Sequence, residues 1–95
     1  MTYALAAVKA LIQKDDTYLV IEHEINNKRF LDVPGGRIEG DENPIQALKR
    51  EVQEEVGLHV EVREHIGIWW FIREVDGVQT ICNTFRCEAS TDDVS

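Results

Sequence analysis

Three glutamates crowd one short stretch of the chain, Arg50-Glu51-Val52-Gln53-Glu54-Glu55-Val56-Gly57. Wound into a helix, at about 100° per residue, Glu51, Glu54 and Glu55 fall within an arc of roughly 100°. Such an arrangement works against the helix. In the last two turns the macrodipole disfavours each negative charge by ~0.3–1 kcal/mol. The like-charged neighbours Glu51–Glu54 and Glu51–Glu55 add ~0.2–0.5 kcal/mol each. A segment selected for stability would place Lys or Arg here, so the conflict points to a functional site. A multivalent cation removes it. Carboxylate oxygens suit Mg²⁺ or Mn²⁺, and these ions bring phosphates with them. The competing reading is an ordinary solvated acidic face.

The elements around this stretch can be read from pattern. Asn43-Pro44 starts a helix, with Asn as the N-cap, Pro at the first helical position and Gln46 completing a capping box. Ile45, Leu48, Val52 and Val56 form one apolar stripe, and Gly57 ends the helix, so the spacing predicts a helix over 44–56. Residues 3–12 fit helix or strand. Tyr18 to Ile25 reads as a strand, which with the polar turn 13–16 favours an antiparallel pair. Asn26-Asn27-Lys28 is a second turn, and Phe30 to Val33 a short strand. Pro34-Gly35-Gly36 breaks the pattern, and 37–43 reads as a polar loop containing solvated Glu39 and Asp41. His65 to Val75 and Val78 to Cys87 form two long strands about an Asp76-Gly77 hairpin. Ser90 to Ser95 has no packing signature. The order β-β-β-α-β-β implies an α/β (α+β) fold, a mixed sheet carrying one long helix.

Read from Gly36, five residues lead to Glu42, and seven more to Arg50-Glu51-Val52-Gln53-Glu54-Glu55-Val56-Gly57-Leu58. This resembles the Nudix box, Gly-x5-Glu-x7-Arg-Glu-U-x-Glu-Glu-x-Gly-U with U aliphatic, at every defined position. A chance match occurs on the order of once in 10⁹ starts. Pro34-Gly35 fits the family's lead-in. The resemblance implies a metal-dependent hydrolase that cleaves the pyrophosphate linkage of a nucleoside diphosphate derivative. It implies Mg²⁺ or Mn²⁺ as cofactor. Glu54 and Glu55 become the first metal ligands, and Glu51 a ligand or the general base. A carbonyl of Gly35 or Gly36 completes a metal's shell. Arg50 positions a box carboxylate, or makes only an i,i+4 pair with Glu54. Glu42 belongs to the metal site or braces the loop. Gly36 and Gly57 are backbone requirements.

Family members that cleave ADP-ribose often carry a proline after the box, and those acting on dinucleoside polyphosphates a tyrosine. Residues 59–95 contain neither. The expectation is therefore a nucleoside triphosphate cleaved to monophosphate and pyrophosphate. ADP-ribose or another sugar nucleotide is the alternative substrate, and a nucleotide-sensing module without turnover the alternative class. Arg29, Phe30 and Trp70 are candidate substrate contacts. Trp69, Trp70 and Phe71 alternate faces, so either Trp70 or Trp69 with Phe71 packs into the core. His23, His59 and His65 have no metal-ligand spacing and read as structural.

The 95 residues bound the rest. They make one domain, and the 43% hydrophobic content is enough for a core. The net charge of −8 argues against a duplex nucleic-acid partner. Cys82 and Cys87 would point to opposite faces of a strand and cannot bond each other, which fits a reducing, cytoplasmic setting. Lys9 interrupts the apolar start, which lacks a basic lead, so a signal peptide is rejected. No run approaches the ~20 residues of a membrane span. Against the family, the chain looks short at its C-terminus, without the second helix and a late strand. An open apolar sheet face is expected, and homodimerisation if this length is the whole.

Overall fold

In the computed structural model, which describes residues 3–90, one edge of the first strand is shared between two partners. Strand β1 spans Leu5–Lys14, and its alternation sends Val8, Ala10 and Ile12 inward. Of the ambiguous residues 3–12, this makes 5–12 strand despite their alanines. At its far end β1 turns through Asp15-Asp16 into the two-residue β2 (Thr17–Tyr18). The pair is antiparallel but covers only Gln13–Tyr18 and Lys14–Thr17. Further down the same edge, β5 (Gly35–Arg37) pairs antiparallel with Ala7, Val8 and Lys9.

Occupation of that edge by β5 corrects two sequence expectations. Residues 35–37 are a strand rather than a break and loop. The segment 18–25 is not one strand paired to β1, because the edge it would need is already taken. It leaves after Tyr18 to form a separate ribbon, β3 (Ile21–Ile25) with β4 (Lys28–Asp32). The ribbon turns at Asn26-Asn27, where both residues adopt positive φ (52° and 65°). Asparagine tolerates that region, as a tight hairpin requires.

On its other edge β1 pairs in parallel with β7 (Gln79–Ala89), from Leu5–Thr80 to Ile12–Cys87. Strand β6 (Val60–Ile72) is antiparallel to β7 and forms the sheet's edge. The strand expected from His65 thus begins earlier, at Val60, with register shifts between Val62, His65 and Gly67. It ends at Ile72 rather than Val75.

Helix α1 (Pro44–Val56) lies on one face of this sheet. Leu48, Val52 and Ala47 pack on Val8, Ala10, Ile12, Val60 and Cys87. Each large aliphatic side chain so buried stabilises by ~1.5–3 kcal/mol. Ile45 stays exposed and Ala47 takes its place inside, because the helix is turned to set its acidic flank against β5. Cys82 and Cys87 are both buried, free and on opposite faces.

Beyond the reach of α1 the helix-side face of β6 and β7 is open, with Ile68, Trp70, Ile72 and Ile81 exposed. None of the three successive aromatics joins the core: Trp69 is 42%, Trp70 63% and Phe71 41% exposed. The core-packing expectation fails for Trp70 because α1 touches only the start of β6, and for Trp69 and Phe71 because they line an open cleft on the other face. Residues 91–95 of the polar tail lie outside the described residues. Among the described residues no helix is long and apolar enough to cross a membrane.

Candidate active site

Both ends of α1 are fixed by the residues that marked it in sequence. Asn43 accepts from the Gln46 N–H at 2.8 Å, and Gln46 accepts from the Asn43 N–H at 2.9 Å. Gly57 adopts the left-handed conformation and donates its N–H to Gln53 O. The helix is therefore held rigidly enough to aim its charged flank.

That flank is organised by Arg50. Its Nε and Nη2 donate to the two oxygens of Glu42 at 2.6 and 3.0 Å, a bidentate fork. Nη1 donates to Glu51 Oε1 at 2.9 Å and to Glu54 Oε2 at 3.2 Å. Nη2 also donates to Arg37 O at 3.1 Å, tying the helix to β5. Glu42 in turn accepts the Glu39 N–H at 2.9 Å, which closes the loop before the helix. The hydrogen bond from Arg50, aided by that N–H, holds the Glu42 carboxyl below the usual carboxylate range. One guanidinium thus fixes three carboxylates.

The two glycines of β5 complete the arrangement. The Gly35 N–H donates to Glu55 Oε1 at 2.8 Å. Gly35 sits at φ 155°, and a Cβ there would stand 2.1 Å from Val8 O, so only glycine fits against β1. Gly36 is needed for a different reason. A Cβ on it would meet the Glu51 carboxylate at 2.5–2.7 Å. The missing side chain is the seat in which that carboxylate rests.

On the face of the sheet away from α1, a cleft of about 510 Å³ begins at Gly36 and Arg37. Ala7, Cys82 and Thr80 form its floor, Trp69 and Phe71 one wall, and Lys9 with Asp32 the other; Arg73 also lines it. The Trp69 and Phe71 rings stack at 5.5 Å and 30°. Lys9 Nζ donates to Asp32 Oδ2 at 2.9 Å. Burial pushes the Cys82 thiol up, so it stays protonated.

The NUDIX domain family model matches residues 3–92, nearly the whole chain. The chain belongs to the Nudix family. It is 32% identical over 59 residues to phosphatase NudJ of Escherichia coli K12, a stretch covering 62% of this chain and 39% of that protein. Its fold matches a NUDIX hydrolase from Nitrosomonas europaea with TM-score 0.84 and 30% identity, over 96% of this chain and 62% of that one. The ORF135 protein of E. coli matches with TM-score 0.77 and 28% identity, over 90% and 61%. The chain thus spans less than two thirds of each relative.

The Nudix box brings Glu42, Arg50, Glu51 and Glu54 into one network, with Glu55 beside them on Gly35. For Arg50, both contacts weighed from sequence are present, the aimed carboxylate and the i,i+4 pair. Glu42 is committed to Arg50 and the loop. Nudix hydrolases use divalent metals, and a donor set of carboxylates fits such an ion. As they stand, no three acidic, His or Cys side chains among the described residues are gathered tightly enough to hold a metal. The guanidinium of Arg50 takes the space between Glu51 and Glu54. Glu54 is 57% exposed and has room to move.

Of the candidate substrate contacts, Trp70 points away from the cleft, on the open helix-side face. Arg29 and Phe30 ride on the β3–β4 ribbon, where Arg29 pairs with Glu22 at 2.9 Å, and neither lines the cleft. Sequence reasoning missed Lys9, Asp32, Arg37 and Arg73. Only the alternation that places Trp69 and Phe71 on one face hinted at this wall.

Proposed function

We propose that this Nudix domain hydrolyses a nucleoside triphosphate to the monophosphate and pyrophosphate, with Mg²⁺ or Mn²⁺ as cofactor. The observation that carries this reading is the Glu51 carboxylate seated on Gly36, a residue that also lines, on the sheet's other face, a cleft large enough for a nucleoside. Glu51, Glu54 and Glu55, with the backbone of Gly36, would hold the metal. Bound there, it neutralises phosphate charge and supplies an acidified water.

The chain's own groups do the rest. Arg50 keeps Glu51 in one orientation, so the carboxylate does not have to be ordered when substrate arrives. Glu42 braces Arg50 rather than meeting substrate. Glu54, the most exposed of the network's carboxylates, is placed to accept a proton or swing onto an ion. Arg37 and Arg73 bring positive charge to the cleft for an anionic substrate.

Release of pyrophosphate, measured with Mg²⁺ across the common nucleoside triphosphates, tests the reading. Metal-dependent release that Glu54→Gln lowers by about 10²-fold or more supports it. Tight nucleotide binding by the wild type without any metal-dependent release replaces it with a sensing module.

A further inference from the structure

The cleft has a feature that pyrophosphate chemistry does not use. Lys9 and Asp32 stand side by side on one wall, opposite two stacked aromatic rings. The pair is anchored in one orientation. Asp32 Oδ1 accepts the Val33 N–H at 2.8 Å, Oδ2 accepts Lys9 Nζ at 2.9 Å, and Nζ also donates to Val33 O at 3.4 Å. Each carboxylate oxygen has a second lone pair, and the ammonium has a third proton. The Asp32 side chain is 45% exposed, so this spare capacity is open to a ligand. In sequence along the wall the array reads acceptor, acceptor, donor.

A second observation points to an occupant. Thr80 is 5% exposed on the cleft floor, and its Oγ1 is the buried side-chain polar atom without a hydrogen-bond partner among the described residues. Such an orphan costs stability unless something satisfies it. An occupant of the cleft can do so.

We propose that the cleft is a nucleobase slot selective for guanine, in which Asp32 accepts from the ring N–H and exocyclic amino group while Lys9 donates to the ring carbonyl. Guanine's pairing edge reads donor, donor, acceptor, the complement of the wall. The edge of cytosine reads donor, acceptor, acceptor and that of uracil acceptor, donor, acceptor; adenine presents donor and acceptor. Uracil places an acceptor against a carboxylate oxygen, while cytosine and adenine satisfy at most two of the three positions. Hypoxanthine keeps the carbonyl and ring N–H but lacks the amino group. Trp69 and Phe71 supply the face on which the base stacks. This rests on the nucleotide reading of the site, which it narrows to one base.

Calorimetric titration with nucleoside monophosphates, without metal, tests the slot apart from the chemistry. GMP is expected to bind at least tenfold tighter than IMP, AMP, CMP or UMP, and Asp32→Asn to bring GMP within about twofold of IMP. Equal binding of GMP and IMP by the wild type, preference for another base, or no binding at millimolar concentration overturns the proposal. The comparison of GMP with IMP needs no variant, so a folding defect in Asp32→Asn leaves it intact. Pyrophosphate release that is equal for all triphosphates, with no GMP preference, removes the guanine slot and leaves the hydrolase standing. Guanine-selective binding without pyrophosphate release removes the hydrolase and leaves the slot.

Discussion

Gly36→Ala separates the roles of the two adjacent glycines. The added methyl would sit 2.5–2.7 Å from the Glu51 carboxylate, against an ordinary contact of 3.4–4 Å. The carboxylate must therefore retreat by about 1 Å, and nothing else need move. Because it ends a flexible side chain, the stability cost is small. The lost contact from Arg50 is partly buried and leaves the Glu42 fork intact, so Tm should fall by no more than about 4–8 °C. Activity responds differently, since a misplacement of about 1 Å in a reacting group costs on the order of 10²-fold. Gly35→Ala is the control. Its methyl would stand 2.1 Å from Val8 O and 2.9 Å from Lys9 Cα, backbone that cannot yield. Overpacking and a strained φ each cost ~1–3 kcal/mol there, enough to unfold a marginal domain. Thermal unfolding and metal-dependent pyrophosphate release are measured on both variants. Gly36→Ala should fold and fail to turn over, and Gly35→Ala should fail to fold. Near-wild-type turnover by Gly36→Ala would refute the view that the Glu51 seat matters. A Tm loss equal to that of Gly35→Ala would show that the seat is structural.

Other outcomes follow from the same contacts. Arg50→Lys keeps the charge and loses the fork, so kcat should fall ~10–100-fold with little change in Tm. Arg86 holds Glu64, and with Arg63 it holds Glu88, below their ordinary value of 4.5. A depressed folded pKa gives stability that is present above the ordinary value and lost as pH falls through the folded one. Tm should therefore decline below about pH 4.5, and Arg86→Met should flatten that decline in a low-salt pH series. Asn43→Ala removes the cap on Gln46 N and should cost ~1 kcal/mol, read as a Tm drop of about 4–8 °C. Mg²⁺ at a hundred times its Kd should stabilise the wild type by ~2.7 kcal/mol, and Glu55→Lys should abolish that gain in a thermal-shift titration. Stabilisation by Glu55→Lys without regard to Mg²⁺ would point to an acidic helix with no metal role.

Which parts of this protein were legible in its sequence follows from the range of the forces involved. The helix from Pro44 to Val56, its Asn43 box and its Gly57 stop are local, set within a few residues, and the structure keeps them. The spacing of Glu42, Arg50, Glu51, Glu54 and Glu55 is likewise fixed by one helix and one loop. Strand pairing is different, because an edge has one row of hydrogen-bonding groups and several segments compete for it. Which segment wins residues 7–9 of β1 is a contest between distant segments, and β5 enters it with Gly35 tied to Glu55 of the helix. No local pattern carries that information. The cleft is the extreme case. Lys9, Asp32, Trp69 and Thr80 come from four strands and meet only when β1 pairs with β7 and β7 with β6. Sequence alone determined the chemistry of the acidic flank, since covalent spacing on a helix brings those side chains together. Tertiary structure alone decided what lies opposite it, because only strand registry puts distant side chains on one wall.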